Sequence, residues 1–536
     1  MCNCENMKLW KYENVGRTLG IGCFHIYTLP HFHIATKSLI TLGICIFAYF
    51  QNLSSVALAK EDSAIAYSST PRQLFSETPA QKAERLSWWT HDRFGMFIHF
   101  GLYSLPARGE WVKMTERANM KEKKYQEYFE NFNPDLFDAK AWAKEAKSAG
   151  MKYAVLTAKH HEGFCLWDTK YTDYKITNTP FRRGTGNGKR GTGRDIVKEF
   201  CEAFRAEGIR VGLYYSLIDW HHPDFTIDAR HPRMPPGCRP ADPSGTVGGE
   251  ETWKRINAGK DMNRYRQYMK DQVGELLTNY GRIDIVWFDF TYPNDGGHGK
   301  SAEDWDSEGL LKYARSLQPW IIVDNRLGLT DTADGWDFVT PEQFQVEKWP
   351  TVQGDRVPWE TCQTLSGSWG YARDEMTWKD SANVLSILIH SVSKGGNMIL
   401  NVGPTGRGLF DKRATSHLGE IGEWMKLNSR AIYGCTEAPE QFKAPENTIL
   451  TYNPETRRLY IHLISYPGGR LTCPFAEDVA YAQVLHDASE ILLERHGTVA
   501  EQTQEFYRSG NEGVSYFLLP AVKPNVLIPV IEVMLK

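Results

Sequence analysis

The chain has 536 residues, 41% hydrophobic and 24% charged, with 17 Trp, 25 Tyr, 25 Phe and a formal charge of -3. Such a length and composition describe an ordinary globular protein with more than one domain. A charge this close to zero supplies no basic stripe to follow a phosphate backbone and argues against nucleic acid as a partner.

Residues 1–59 read as a leader. SLITLGICIFAYF (38–50) is an apolar run too short to cross a bilayer comfortably, and Ala57 and Ala59 follow it in A-x-A spacing. The expectation is a signal peptide cleaved after Ala59, hence a secreted or periplasmic protein without stable membrane insertion. An uncleaved N-terminal anchor is the alternative. Beyond the leader, Cys165, Cys201, Cys238, Cys362, Cys435 and Cys473 are scattered, with no C-x-x-C pair. That predicts isolated buried thiols rather than a zinc or redox motif.

Residues 75–435 carry a recurring pattern. After an early strand, RFGMFIHFG, amphipathic helical stretches lead through a short turn into apolar β-rich runs: DAKAWAKEAKSAG into KYAVLTA, DIVKEFCEAFRAEG into RVGLYYS, and YRQYMKDQVGELLTNYG into IDIVWFD. SEGLLKYARSLQP then leads into WIIVDNR, and SANVLSILIHSVSKGG into NMILNVGP. Glycine at a helix end is the punctuation a left-handed C-cap requires, and runs without alternation fit buried parallel strands. The prediction is an α/β fold, a (β/α)8-like TIM barrel, whose chemistry sits at the C-terminal ends of the strands. Those ends carry His99, His160, His161, Tyr214, Tyr215, Asp289, Asn325, Arg326 and Asn401.

RRGTGNGKRGTGRD (182–195) has the glycine and basic content of a phosphate loop but not its spacing, and is expected to be a surface insertion. Residues 440–536 change texture, with short alternating runs such as RLYIHLIS and SYFLLPA between turn residues. They predict a small antiparallel β-sandwich.

Asp289 ends a buried strand, where an unpaired carboxylate is costly unless it is used. If Asp289 is a nucleophile, a second carboxyl group must protonate the departing group, and Glu342, Glu347 and Glu360 follow in the chain. The adjacent His160 and His161 would point to opposite faces if the segment were extended, which disfavours one shared metal. Neutral imidazoles, donating at one nitrogen and accepting at the other, suit sugar hydroxyls.

RFGMFIHFGLYSLPARGEW, KYAVLTAKHHEGFCLWDTKYTDY, VGLYYSLIDWHHPDF, DIVWFDF, DFVTPEQ, WETCQTLSGSWGY and SKGGNMILNVGPTGRG occur in this order across Leu86 to Cys435. With these motifs the chain resembles the α-L-fucosidases of glycoside hydrolase family 29. The resemblance implies a retaining two-carboxylate mechanism on fucosylated glycans, with no metal or other cofactor. It implies Asp289 as nucleophile and Glu342 as acid/base, with Glu360 as the second choice for that role. His99, Glu110, Trp111, His160, His161, Tyr214, Trp287 and Arg326 would form the sugar pocket. Two departures stand out: Phe100 where the family usually has Trp, and the glycine-rich insertion. A catalytically silent fucose-binding protein and a metal-dependent barrel hydrolase, with His99 as a third ligand, are the competing readings.

Overall fold

The computed structural model describes residues 71–181, 193–235, 249–293, 299–495 and 514–536. The leader and residues 182–192 of the glycine-rich insertion lie outside them.

Seven parallel strands form one sheet: β1 (Phe94–Ile98), β2 (Tyr153–Lys159), β3 (Arg210–Ser216), β4 (Ile285–Asp289), β5 (Ile322–Val323), β8 (Glu360–Thr364) and β9 (Asn397–Val402). The pair β6 (Thr351–Val352) and β7 (Asp355–Arg356) makes a separate hairpin before β8. Neighbours run β5-β4-β3-β2-β1-β9-β8. Residues 338–342 bridge the two edges through parallel contacts Asp324↔Phe338, Val339↔Trp359 and Glu342↔Cys362. The sheet therefore closes on itself with an irregular eighth segment, as a barrel requires to abolish its edges.

Local chemistry explains the repeated helices. Asp138, Asp195, Asp261, Asp380 and Asp411 each accept a backbone N–H at the start of their helix, satisfying a donor that would otherwise be orphaned. Gly150, Gly208, Gly281 and Gly395 end or follow helices at φ between 71° and 83°, where a side chain would be strained. Helix Ile196–Ala206 buries Val197, Phe200 and Phe204. Phe200→Ala would cost roughly 3–5 kcal/mol through the cavity it leaves.

The barrel interior is filled by Phe97, Tyr153, Val155, Tyr214, Ile285, Trp287, Ile322, Phe338, Cys362 and Ile399, with Leu86 and Trp89 of helix Pro79–Asp92 packed against them. At Gly95 a Cβ would lie 2.2 Å from the Tyr153 ring, so only glycine fits there. The arrangement departs from a regular (β/α)8 pattern in one respect: neither the passage from β5 to residues 338–342 nor the passage from there to β8 contains a helix.

The C-terminal residues form two antiparallel sheets. One contains β10 (Thr448–Asn453), β11 (Arg458–Leu463), β16 (Val530–Leu535) and β13 (Val479–Val484). The other contains β12 (Arg470–Thr472), β15 (Tyr516–Leu518) and β14 (Leu492–Glu494). Leu459, Ile461, Leu471, Phe517, Ile531 and Val533 supply their shared core. Trp424 donates to the Ile528 carbonyl at 2.8 Å and Thr451 to that of Ala431 at 2.8 Å, fastening the sandwich to the last barrel helix and the turn after it. Cys165, Cys201, Cys362, Cys435 and Cys473 are buried free thiols. No described helix is long and apolar enough to cross a membrane.

Candidate active site

The C-terminal ends of the strands gather most of the expected residues. Asp289, the last residue of β4, is 8% exposed. The Tyr214 hydroxyl donates to its Oδ2 at 2.7 Å, and Arg326 Nη1 donates to its Oδ1 at 3.0 Å. Both oxygens thus accept, the pattern a carboxylate satisfies. Arg326 Nη2 reaches the second carboxyl group, donating to Glu342 Oε2 at 2.8 Å. One guanidinium therefore holds both carboxyl groups, a planar fork that a lysine cannot imitate. Burial works to lower the Arg326 pKa, but Glu342 and Asp289 carry it well above its ordinary value. Its guanidinium also lies over the Trp287 ring, 4.6 Å from the centroid.

Glu342 differs from Asp289 in exposure, with 35% of its side chain open to solvent against 11%. Its other oxygen accepts from Trp369 Nε1 at 3.2 Å. Trp369 lies within GSWGY, where composition and spacing carry no signal for a role. Its ring lies 5.2 Å from that of His99, which joins it to the histidine cluster at the strand ends.

The histidines occupy one patch. His99 and His160 have ring centroids 5.5 Å apart, and His160 and His161 4.1 Å apart. This corrects the expectation that the adjacent pair points to opposite faces. The strand ends at Lys159, and Gly163 N donates to the His160 carbonyl at 3.0 Å, so the pair starts a turn and both rings stay on one side. Ser216 donates its only hydroxyl proton to the Ile218 carbonyl at 2.7 Å and so accepts from His161 Nδ1 at 2.7 Å. The Asn401 amide donates to the Trp369 carbonyl at 2.7 Å, which turns its oxygen toward His99 Nδ1 at 2.6 Å. Each of these rings therefore holds its proton at Nδ1 and leaves Nε2 as an acceptor. Burial lowers both pKa values to about 3 and that of His160 well below its ordinary value. His160 Nδ1 is buried with no hydrogen-bond partner among the described residues. The three rings are neutral at physiological pH.

Trp111 packs on His161 at 5.1 Å. Glu110 is turned differently: its Oε2 accepts from Gly370 N at 2.6 Å and from Ser368 Oγ at 3.2 Å, and burial raises its pKa. It holds the loop that carries Trp369.

Two further residues stand away from this cluster. Glu360 opens β8 at the opposite end of the barrel, beside Tyr153 and Asn397, with its carboxyl hydrogen-bonded to the Tyr153 hydroxyl. Phe100 packs on Phe132 and Trp142 in the outer layer, away from the paired carboxyl groups. Glu347 is exposed. Among the described residues no group of three or more His, Cys, Asp or Glu is arranged to hold a metal ion.

A closed barrel with paired carboxyl groups, neutral imidazoles and aromatic rings at its C-terminal mouth has the architecture of a glycoside hydrolase. The family model described as Alpha-L-fucosidase matches residues 63–430. The plasma alpha-L-fucosidase of Homo sapiens is 27% identical over 441 residues, covering 77% of this chain and 82% of its own. Alpha-L-fucosidase isoenzyme 1 from Paenibacillus thiaminolyticus superimposes with a TM-score of 0.72 at 39% identity, over 85% of this chain and 99% of that one. A family 29 alpha-L-fucosidase from Bacteroides thetaiotaomicron, trapped as a covalent intermediate with 2-fluoro-fucosyl fluoride, superimposes with a TM-score of 0.66 at 25% identity, over 88% and 98% of the two chains. The chain belongs to the alpha-L-fucosidase family, glycoside hydrolase family 29.

Proposed function

We propose that the protein releases terminal α-L-fucosyl units from glycans with retention of configuration, with Asp289 as nucleophile and Glu342 as acid/base. The observation that pairs the two carboxyl groups is the Arg326 guanidinium bonded to both at once, and the greater exposure of Glu342 supports giving it the acid/base role. Asp289, gripped by Tyr214 and Arg326, attacks the anomeric carbon while the more exposed Glu342 protonates the departing oxygen. Glu342 then takes a proton from water, which opens the fucosyl ester at Asp289. Its greater exposure supports this exchange with solvent.

His99 and His161 accept from the ring hydroxyls at Nε2 and His160 adds a third neutral imidazole, with Trp111, Tyr214 and Trp287 as walls. Glu110 acts through the Ser368–Gly370 loop that it holds. The domains proposed are a catalytic barrel over 75–435 and a sandwich over 440–536, released by cleavage after Ala59 into a secreted or periplasmic compartment.

The test is time-resolved NMR of an aryl α-L-fucoside hydrolysed by residues 60–536. Retention predicts α-L-fucose as the first anomer formed, and β-L-fucose formed first would contradict the mechanism. Glu342→Ala should keep more activity on a good phenolate leaving group than on a glycan, since only the glycan needs a proton.

A further inference from the structure

Both proposed catalytic carboxyl groups are followed by a residue in the left-handed region: Phe290 at φ 89° after Asp289, and Gln343 at φ 52° after Glu342. Nine described non-glycine residues have positive φ, and Phe290 is the one aromatic among them. A bulky side chain there is strained and persists only where its surroundings hold it.

Those surroundings can be named. The Phe290 ring lies 4.9 Å from His161, 5.4 Å from Trp111 and 5.3 Å from Tyr292. Trp220 completes the group at 5.5 Å from both Trp111 and His161. Trp111, His161, Trp220 and Phe290 follow β1, β2, β3 and β4 respectively, so four successive loops each contribute one ring. The loop carrying Phe290 is itself tied down. The Tyr292 hydroxyl donates to Asp228 Oδ2 at 2.8 Å, and the buried Lys300 ammonium pairs with the same carboxylate. Trp220 is fixed by its backbone N–H to the His161 carbonyl at 2.8 Å and by its indole N–H to the Arg230 carbonyl at 2.8 Å.

We infer that Phe290 is a positioning residue of the fucosyl site: the left-handed turn after Asp289 drives its ring onto Trp111 and His161 and fixes these sugar-facing rings relative to the attacking carboxylate. The inference rests on the fucosidase reading above. It concerns sugar binding, so its signature is in KM and in inhibition by free L-fucose rather than in the bond-breaking step.

Three variants separate ring from backbone. Phe290→Ala removes the ring and keeps the strained φ, Phe290→Gly removes the ring and relieves it, and Phe290→Tyr restores the ring. With an aryl α-L-fucoside, Ala and Gly should each raise KM and the inhibition constant of fucose about tenfold while kcat falls less than about threefold, and Tyr should stay within about twofold of wild type. Gly should melt no lower than Ala, because glycine is at ease at this φ. Unchanged KM and fucose inhibition in folded Gly or Ala variants would overturn the proposal, as would a Tyr variant no better than Ala. Failure of the fucosidase reading shows elsewhere: the wild type itself would neither turn over the fucoside nor bind fucose, and this proposal would fall with it.

Discussion

Replacing Glu360 with Gln tests how the barrel tolerates a carboxyl group at its closed end. Glu360 is 1% exposed, and burial pushes its pKa from the ordinary 4.5 up to about 8, with Tyr153, Trp89 and Trp287 only partly offsetting it. Between those two pH values the folded protein keeps a proton that the unfolded chain has released. Unfolding then releases a proton, and stability falls as pH rises from about 4.5 through 8. The loss accumulates to roughly 4 kcal/mol by pH 8, of which about 3.5 kcal/mol appears between pH 5 and 8. Gln has the same shape and no proton to lose. Wild type and Glu360→Gln should therefore be close in stability at pH 5, and the variant should gain on wild type by that amount at pH 8. Glu162, also buried and pushed to about 8, gives both proteins a slope of the same sign and cancels in the comparison. Urea unfolding followed by tryptophan fluorescence at pH 5, 6.5 and 8 reads the gap. A gap independent of pH would refute the reasoning, since it would mean that Glu360 is not a neutral acid when folded. The same variant addresses its chemical role: kcat should remain within about twofold of wild type, because Glu360 lies at the end of the barrel opposite the proposed pair.

Arg326→Lys should lower kcat/KM at least about 100-fold while the protein stays folded, because an ammonium has no second, spread-out nitrogen to reach Glu342 while the first holds Asp289. Steady-state hydrolysis of an aryl fucoside measures it. Trp369→Phe removes the indole donor to Glu342 and should cost about tenfold in kcat/KM, more on a glycan than on an activated aryl fucoside. Ser216→Ala frees His161 Nδ1 and should raise KM about fivefold with kcat little changed, as expected for losing one buried hydrogen bond.

The barrel was legible where helices carry their own punctuation. Asp138 and Gly150 bracket one helix, Asp195 and Gly208 the next, and each leads into an apolar strand. The closure between β5 and β9 was not legible. Ile322–Val323 is two residues long, residues 338–342 pair only through isolated bridges, and Glu360–Thr364 reads as ETCQT, a polar run that gives no strand signal. These polar side chains are buried because each finds a partner, as Gln363 does with Thr361 at 2.9 Å.

Within the site, strand-end position alone indicated His99, Tyr214, Asp289 and Arg326. The joint orientation of His160 and His161 depended on where β2 ends, which periodicity does not resolve to one residue. Trp369 had no such cue, since its place beside Glu342 comes from a loop held by Glu110, some 260 residues earlier. Phe100 shows the converse: a residue next to a strand-end histidine that faces the helix layer.

The most direct measurement is azide rescue of Asp289→Gly on an aryl α-L-fucoside, with the product anomer assigned by NMR. The account predicts a protein that binds fucose, is inactive alone and recovers turnover with azide, yielding β-L-fucosyl azide, while Glu342→Ala yields the α anomer. Full activity in Asp289→Gly without azide, or an α-azide from that variant, would contradict it.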